Sequence, residues 1–388
     1  MYIARQMATS LQEMRSKFPI LLVTGPRQAG KTTLLRSVFP EFGYVNLELG
    51  PNREFAREDP LGFLRQYPAP LIIDEAQRVP ELFSYLQVMV DENRDMGQYL
   101  LSGSQNFLLL DQTAQSLAGR VGIFKLLPLS LAELKGHQPS LLPANLEQAL
   151  FSGGYPALFE RQLDPAQYFP AYVETYLERD VRQVTQVQDL TTFQGFLRLC
   201  AGRVGQPLNY QSLAVEAGIS APTVKKWLSV LEASYIAFRL APYFENVSKR
   251  VVKSPKLYFY DTGLLCQLLD LNEAAQIEQY YNKGSLLENY VVVELMKNRY
   301  HQFRPASLYF WRDSNQREVD IVLREGGETH LFEVKYAHTP KSSFFKGFQA
   351  FRQALPTSRG PQTVVYAGEM AQQRSEGEFL PWSELERR

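Results

Sequence analysis

The sequence predicts an α/β protein whose first part is a parallel sheet covered by helices. Up to about residue 130, short apolar runs alternate with segments of helical period, and this alternation is typical of such a sheet. The runs lie at residues 20–24, 44–47, 71–73, 99–101 and 123–126. At 388 residues, the chain also exceeds what one hydrophobic core usually supports. Several domains are therefore expected.

Changes of pattern along the chain predict four domains. The sheet pattern fills residues 1–135, and a mostly helical segment at 136–200 is expected to form a lid on it. Residues 201–256 contain a helix, a turn, a second helix and an apolar run, as in a winged helix-turn-helix. Residues 257–388 mix strands and helices again, which indicates a second α/β domain.

The charge balance and the cysteines exclude some classes of protein. Lysine plus arginine and aspartate plus glutamate each total 41, so no field of the whole chain favours nucleic acid. Cys200 and Cys266 lie far apart without metal-ligand spacing, which indicates reduced thiols. The N-terminal segment carries charges throughout, and no apolar run approaches the roughly 20 residues that a membrane span needs. We expect a cytoplasmic protein with no membrane partner.

A glycine-rich loop follows the first apolar run. Its residues match the pattern G-x-x-x-x-G-K-[ST] between a strand and a helix: Gly25, Pro26, Arg27, Gln28, Ala29, Gly30, Lys31, Thr32 and then Thr33. The backbone amides of such a loop surround phosphates, and the helix points its positive end at them. We expect Lys31 to reach the β and γ phosphates and Thr32 to ligate magnesium. The first domain is therefore predicted to bind ATP and Mg²⁺.

Two acids end the run at 71–73. Asp74 is expected to hold the magnesium ion, and Glu75 to polarise the attacking water as general base. Two solvated acids at a helix start are the alternative. A further run, at 99–101, leads into Ser104 and Gln105, which are expected to detect the γ-phosphate or to align the water. A polar turn is the alternative there.

With these motifs, the sequence resembles the AAA+ ATPases, and more closely the bacterial and archaeal proteins with an AAA domain and a C-terminal DUF4143 region. The resemblance covers nearly the whole chain. It rests on the segments GPRQAGKTTLL, LIIDEAQRVP, LLSGSQNFLL, SLAGRV, LPLSLAEL, FSGGYP, TYLERDV and KLYFYDTGLL. The resemblance implies an ATPase that forms a homo-oligomer, with a hexamer as one form, in which Arg120 completes the site of a neighbouring subunit. An arginine favoured by the dipole at a helix C-terminus is the alternative for Arg120.

Residues 209–238 have the pattern of a DNA-reading helix-turn-helix. Ala214, Gly218, Val224 and Leu231 fall where this unit needs small or apolar residues. The second helix is expected to begin at Ser220 and to project outward the side chains of Thr223, Lys225 and Lys226. Residues 202–256 contain eight Lys or Arg against three Glu, which suits phosphate contacts. Docking of a protein partner is the alternative use.

The last domain carries a pattern of acids that resembles the PD-(D/E)xK phosphodiesterase fold. Glu288 lies in a helical segment and Asp320 in a strand, and Glu333 and Lys335 share one face of the next strand. Asp320 and Glu333, with Glu288, are expected to hold a second magnesium ion, and Lys335 to activate water. Retention of this core for binding alone is the alternative.

These features leave three functions open. The first is a DNA-directed ATP-driven motor or switch. The second is a regulatory ATPase whose C-terminal domains bind a protein partner. The third is a metal-dependent nuclease that ATP gates.

Overall fold

The computed structural model describes residues 2–104, 117–176, 190–244 and 254–387. These residues form two compact units. The first contains the chain up to Leu129 together with Ala233–Tyr235 and Arg299–Arg304. The second contains Ser130–Glu232, Ile236–Asn298 and Pro305–Arg388.

A parallel sheet of five strands forms the centre of the first unit, with the order β2-β3-β4-β1-β5. Strand β4 therefore lies between the strand that precedes the glycine-rich loop and the strand that ends in Asp74. One extra strand, β4, thus separates the strand of the glycine-rich loop from the strand of the Asp74–Glu75 motif. The strands are β1 (Ile20–Thr24), β2 (Gly43–Asn46), β3 (Leu71–Asp74), β4 (Tyr99–Gly103) and β5 (Val121–Lys125).

Helices cover both faces of this sheet, and the alternation of side chains along each strand explains why. Leu22 and Ile73 join the core on one face, whereas Leu21 and Ile72 join the core on the other. All five residues of β1 are consequently buried. The helices of this unit are α1 (Met7–Arg15), α2 (Lys31–Val38), α3 (Gly50–Glu58), α4 (Pro60–Gln66) and α5 (Leu82–Asn93).

The second unit begins with helices. The segment 136–200, expected as a lid on the first domain, lies within this second unit. Buried Asp261 contributes to this placement, because its carboxylate accepts hydrogen bonds from the backbone N–H groups of Gly154 at 2.8 Å and of Leu264 at 3.0 Å. The helices are α6 (Leu131–His137), α7 (Leu146–Ser152), α8 (Pro156–Glu160), α9 (Pro165–Tyr176) and α10 (Leu190–Ala201).

A helix, a tight turn and a helix follow, as the sequence predicts. Helix α11 (Tyr210–Ala217) ends at Gly218, whose φ of 65° is the left-handed conformation that glycine adopts easily. Helix α12 (Ala221–Ala233) begins after Ser220, whose hydroxyl accepts a hydrogen bond from the Thr223 N–H at 3.2 Å. Strands β6 (Ala237–Leu240) and β7 (Lys256–Phe259) then pair antiparallel.

The chain continues through α13 (Thr262–Leu268) and α14 (Ala275–Gln279) into a second sheet. Helix α15 (Lys283–His301) precedes three antiparallel strands, a helix and a strand that is parallel to the third. These elements thus follow one another in the order α-β-β-β-α-β. The elements are β8 (Leu308–Arg312), β9 (Glu318–Glu325), β10 (Glu328–Lys335), α16 (Lys346–Ala354), β11 (Gln362–Tyr366), β12 (Gln372–Arg374) and β13 (Gly377–Pro381).

The six strands have the order β12-β13-β11-β10-β9-β8. Within the described ranges, none of the helices combines the length and the apolar character that crossing a bilayer requires.

Candidate nucleotide site and carboxylate cluster

The glycine-rich loop has the backbone of a phosphate cradle. Gly25 has a φ of 152°, and a Cβ atom built on it would lie 2.0 Å from the carbonyl oxygen of Leu126, so only glycine fits. Gly30 has a φ of 89° and directly precedes α2. The other predicted contacts (Pro26, Arg27, Gln28, Ala29 and Thr33) lie along the same loop and the first turn of α2.

Lys31 points back over this loop. Its ammonium group donates hydrogen bonds to the carbonyl oxygens of Gly25 at 3.0 Å and of Pro26 at 2.8 Å, and the residue is 7% exposed. The ammonium is thus held beside the loop amides, where a phosphate would meet both.

Arg5 holds the glycine-rich loop through backbone carbonyl groups, a contact that the sequence did not indicate. Its guanidinium donates to the carbonyl oxygens of Ala29 at 2.7 Å and of Leu127 at 2.6 Å. The residue is 5% exposed. A single arginine before the first helix carries no motif, so only the three-dimensional structure reveals this contact.

The Asp74 carboxylate is the centre of the site. The Thr32 hydroxyl donates to both of its oxygens at 3.0 and 3.1 Å, the Tyr44 hydroxyl donates at 3.0 Å, and the Ser102 hydroxyl donates as well. Burial, reinforced by the charge of Asp74, raises the pKa of Tyr44 to about 12. A carboxylate beside a hydroxyl at the end of a P-loop offers the oxygen ligands that Mg²⁺ prefers.

Sequence reasoning missed Tyr44 and Ser102, although both precede the ends of strands that flank β3. Asn46 pairs with Asp74, and Ile73 pairs with Leu101, so both strands present side chains to Asp74. Ser102 is also the polar residue in an otherwise apolar run, and this was the available signal.

Glu75 follows Asp74 in a left-handed backbone conformation, with φ 56° and ψ 41°. The side-chain amide of Gln77 donates to its carboxylate at 2.5 Å. Non-glycine residues in this conformation cost on the order of 1–3 kcal/mol and cluster at functional sites. The turn directs Glu75 away from the strand while Gln77 fixes its carboxylate.

Ser104 lies at the same edge of the sheet. Thr24 pairs with Gly103, so Ser104 leaves β4 beside the point where the glycine-rich loop leaves β1. It is 3% exposed, and its hydroxyl has no hydrogen-bond partner within the described part of the chain. A buried hydroxyl of this kind fits a polar ligand. Gln105, the other expected sensor, lies outside the described residues.

The structure also brings together the four predicted residues of the last domain, Glu288 of helix α15 and Asp320, Glu333 and Lys335 of the second sheet. Lys335 Nζ lies 2.5 Å from a Glu333 carboxylate oxygen and 3.8 Å from an Asp320 oxygen. Asp320 accepts a hydrogen bond from the Val334 N–H at 2.8 Å, which ties β9 to β10 at this point. Oxygens of Glu288, Glu318 and Asp320 lie within 4.8 Å of one another.

Two carboxyls of this cluster hold protons more tightly than usual. Burial, together with the charge of Asp320, raises the pKa of Glu333 to about 8. Burial also raises the pKa of Glu288 to about 7, against the opposing charge of Lys256.

Three more residues that contact these carboxyls or lie among them were not expected from the sequence. The Lys256 ammonium lies 2.9 Å from a Glu288 oxygen and 2.5 Å from a Glu318 oxygen. The Tyr258 hydroxyl donates to the same Glu288 oxygen. Lys256 and Tyr258 come from β7, a separate element, and Glu318 begins the strand of Asp320, so no motif linked them. We define the carboxylate cluster as Glu288, Glu318, Asp320 and Glu333.

Family comparisons match three parts of the chain. The model described as AAA domain matches residues 17–135, and the models for two domains of unknown function, DUF8612 and DUF4143, match residues 143–275 and 283–385. The uncharacterized protein Rv2008c of Mycobacterium tuberculosis is 30% identical over 369 residues, which are 94% of this chain and 80% of that protein. The uncharacterized protein Mb2031c of Mycobacterium bovis matches to the same extent. The chain belongs to the AAA–DUF4143 family. Its AAA domain makes it a P-loop ATPase.

Solved structures resemble parts of this AAA–DUF4143 protein. A Walker-type ATPase of Pyrococcus abyssi aligns with a TM-score of 0.46 and 18% identity, over 69% of this chain and 96% of that one. The RuvB Holliday junction branch migration motor of Thermotoga maritima aligns with a TM-score of 0.33 and 20% identity, over 61% of this chain and 90% of that one.

Arg120 lies at the amino end of β5, whereas the glycine-rich loop leaves the carboxyl end of the parallel neighbour β1. It therefore lies at the sheet edge opposite its own nucleotide site. Its guanidinium forms an ion pair with Asp91 at 2.6 and 2.8 Å. Its expected action on the site of a neighbouring subunit stays a prediction.

The positive charges of the helix-turn-helix segment are more neutralised than their count suggests. Arg203 pairs with Glu216, and Arg239 pairs with Glu232 at 2.6 Å. Lys256, counted in the same surplus, is buried in the carboxylate cluster. Lys225 and Lys226 of α12 are exposed, as expected. Glu216 and Glu232 were already set against these arginines in the count, so the buried position of Lys256 is what lowers the surplus. Lys249, Arg250 and Lys253, which the count also includes, lie outside the described residues.

Proposed function

We propose that this AAA–DUF4143 protein binds ATP with Mg²⁺ at the glycine-rich loop and uses its hydrolysis to switch how its second unit engages DNA. Two observations carry the first part of this proposal: the hydroxyls that converge on Asp74, and the Lys31 ammonium held over the glycine-rich loop. Bound magnesium would neutralise charge that develops on the phosphates.

Different residues of the nucleotide site bind the phosphates, bind the metal and activate water. The loop amides and Lys31 hold the phosphates, and Thr32 and Asp74 supply oxygen ligands for the metal. Glu75, fixed by Gln77, accepts the proton of the attacking water as general base. The hydroxyl of Ser104, which has no hydrogen-bond partner among the described residues, donates to the γ-phosphate or to that water.

Calorimetry with Mg-ATP tests the nucleotide site. Lys31→Ala should lose binding, because it removes the ammonium beside the loop amides while the buried core of α2 stays intact. Lys17→Ala, a substitution at an exposed lysine of the same unit, serves as the matched control and should bind like wild type. Equal heats for Lys31→Ala and wild type would overturn the site.

The DNA part of the proposal is supported by helix α12. A helix-turn-helix places its second helix in the major groove, and α12 presents the exposed Lys225 and Lys226. The test is ATP turnover measured without DNA and with duplex, forked and single-stranded DNA. Turnover should rise with at least one of them, and indifference to all would remove DNA from the proposal.

A protein partner is the second candidate, and the paired arginines favour it. Arg203 and Arg239 are engaged by Glu216 and Glu232, which leaves α11 and α12 with a surface of mixed charge. Winged helices also dock proteins. Co-purification of one partner with the wild type, lost on Lys225→Glu while DNA leaves turnover unchanged, would select this candidate.

A further inference from the structure

Lys256 occupies an unusual position for a lysine. Its side chain is 2% exposed, and its ammonium bridges Glu288 on helix α15, at 2.9 Å, and Glu318 on strand β9, at 2.5 Å. The ring of Phe310 lies 5.3 Å from the same nitrogen and closes another side. Lysine is almost never buried without partners of this kind.

The backbone fixes this ammonium in place. Lys256 pairs with Leu240 in the β6–β7 ladder and with Pro207 in an isolated bridge. The side chain therefore starts from a rigid element and cannot extend to solvent without breaking both carboxylate contacts.

A divalent cation does not fit the carboxylate cluster in this arrangement. Magnesium and calcium bind carboxylate oxygens at about 2.0–2.6 Å. The Glu288 oxygen already accepts from Lys256 and Tyr258, the Glu318 oxygen accepts from Lys256, and an Asp320 oxygen accepts from the Val334 N–H. A metal ion on these oxygens would lie against the buried ammonium, and like charges that close repel strongly.

The charge balance leads to the same conclusion. The four carboxyls of the cluster face three cations, namely Lys256, Lys335 and Arg312, the last at 3.5 Å from Glu318. One carboxylate oxygen, Glu333 Oε2, is buried without a partner among the described residues. A site with this little surplus negative charge attracts a divalent cation weakly.

We propose that Lys256 is a built-in counter-ion that takes the cation position of the carboxylate cluster, so that the nuclease-like domain holds no divalent metal while Lys256 is in place. The proposal is independent of the ATPase site. It assigns Lys256 the role of excluding the metal on which phosphodiester cleavage by this kind of core depends.

Binding of Mn²⁺ without nucleotide tests this inference. Every full-length protein carries Asp74→Asn, so that the P-loop site does not contribute, and free Mn²⁺ is followed by electron paramagnetic resonance. The protein with Lys256 should bind no Mn²⁺ at the cluster. Lys256→Met should gain one Mn²⁺ site, and Asp320→Asn added to it should remove that site. Lys341→Met makes the same change at an exposed lysine of the second unit and should gain nothing.

Thermal unfolding gives a second readout. Lys256→Met should unfold at a lower temperature, because buried carboxylates lose their partner, and Mn²⁺ should restore part of the loss. Mn²⁺ should leave the midpoint of the protein with Lys256 unchanged. Binding of Mn²⁺ to that protein in an Asp320-dependent way would overturn the proposal even if Lys256→Met failed to fold. A folded Lys256→Met protein without the new site would overturn it as well.

Discussion

The nucleotide site depends on a few side chains whose geometry leaves each a distinct task. Asp74 accepts three hydroxyls and suits the metal, whereas Glu75 turns away from the strand and is fixed by Gln77. Adjacent acids thus differ in environment because one ends a strand and the next begins a left-handed turn. Binding and turnover should therefore separate on substitution.

Glu75→Gln should bind Mg-ATP as wild type does and lower turnover by at least about 100-fold, since a general base contributes 10²–10⁴-fold. The amide keeps the size of the side chain but cannot accept the proton. Calorimetry for binding and phosphate release for turnover separate the two effects. Glu92→Gln, at an exposed position of α5, is the control. Undiminished phosphate release from Glu75→Gln would assign the base elsewhere.

At the scale of elements, short apolar runs predicted the strands closely, because burial on both faces leaves a continuous apolar signal. The run at 71–73 became Leu71–Asp74, and 20–24 is strand β1 itself. The predicted acids of helix α15 and strands β9 and β10 also meet. The sequence did not predict the position of Lys256 in this cluster. Its partners lie 32 and 62 residues away in the chain, and the pairing of β6 with β7 places it beside them. The sequence also did not reveal that the described helices of 136–200 belong to the second unit, since helix periodicity does not say which unit an amphipathic face packs against.

The carboxylate cluster should make stability depend on pH. The pKa of Glu333 in the folded protein is raised to about 8. Its contribution to the free energy of unfolding is therefore fully present below the ordinary carboxyl pKa and is lost as pH rises through about 8. Asp320, Lys335 and Glu288 face it and shape this titration. From pH 5.5 to 8.5 the unfolding midpoint should fall by roughly 2–4 °C.

Glu333→Gln should flatten that decline, because an amide does not titrate. Calorimetric scans of the two proteins across the same pH range give the comparison. Glu369→Gln, an exposed acid after β11, should retain the wild-type slope. A Glu333→Gln protein with the full wild-type slope would show that other groups cause the decline.

Helix α12 makes its own prediction. If Lys225 and Lys226 contact phosphates, changing both to alanine should weaken duplex binding and reduce the slope of log affinity against log salt by about two. Fluorescence anisotropy with labelled duplex at several salt concentrations measures this slope. Lys17→Ala supplies a control of like charge in the first unit. An unchanged slope would place the DNA contact elsewhere.

At the scale of the whole molecule, Arg120 connects the structure to assembly. It lies at the amino end of β5, away from its own nucleotide loop, and it is held by Asp91. A cation so placed can reach a γ-phosphate only in another copy of the chain. Turnover per subunit should then rise with protein concentration.

Arg120→Ala should bind ATP normally and lose about 100-fold or more in turnover, since one electrostatic donor to the transition state contributes that much. Asp91→Asn breaks the same ion pair but keeps the guanidinium, and it should stay active. Mixing Arg120→Ala with Glu75→Gln should restore part of the turnover, because each supplies what the other lacks. Equal losses in Arg120→Ala and Asp91→Asn would reduce the arginine to a structural role.

The left-handed backbone at Glu75 means that this ATPase is less durable than its fold permits. Asparagine tolerates that conformation better than glutamate, and Glu75→Asn should gain up to about 1 kcal/mol of folding free energy. The sturdier protein would no longer turn over ATP. Selection for heat resistance alone would therefore favour an enzyme that does not hydrolyse ATP. Laboratory evolution of this chain has to screen for ATP hydrolysis as well as for thermal stability.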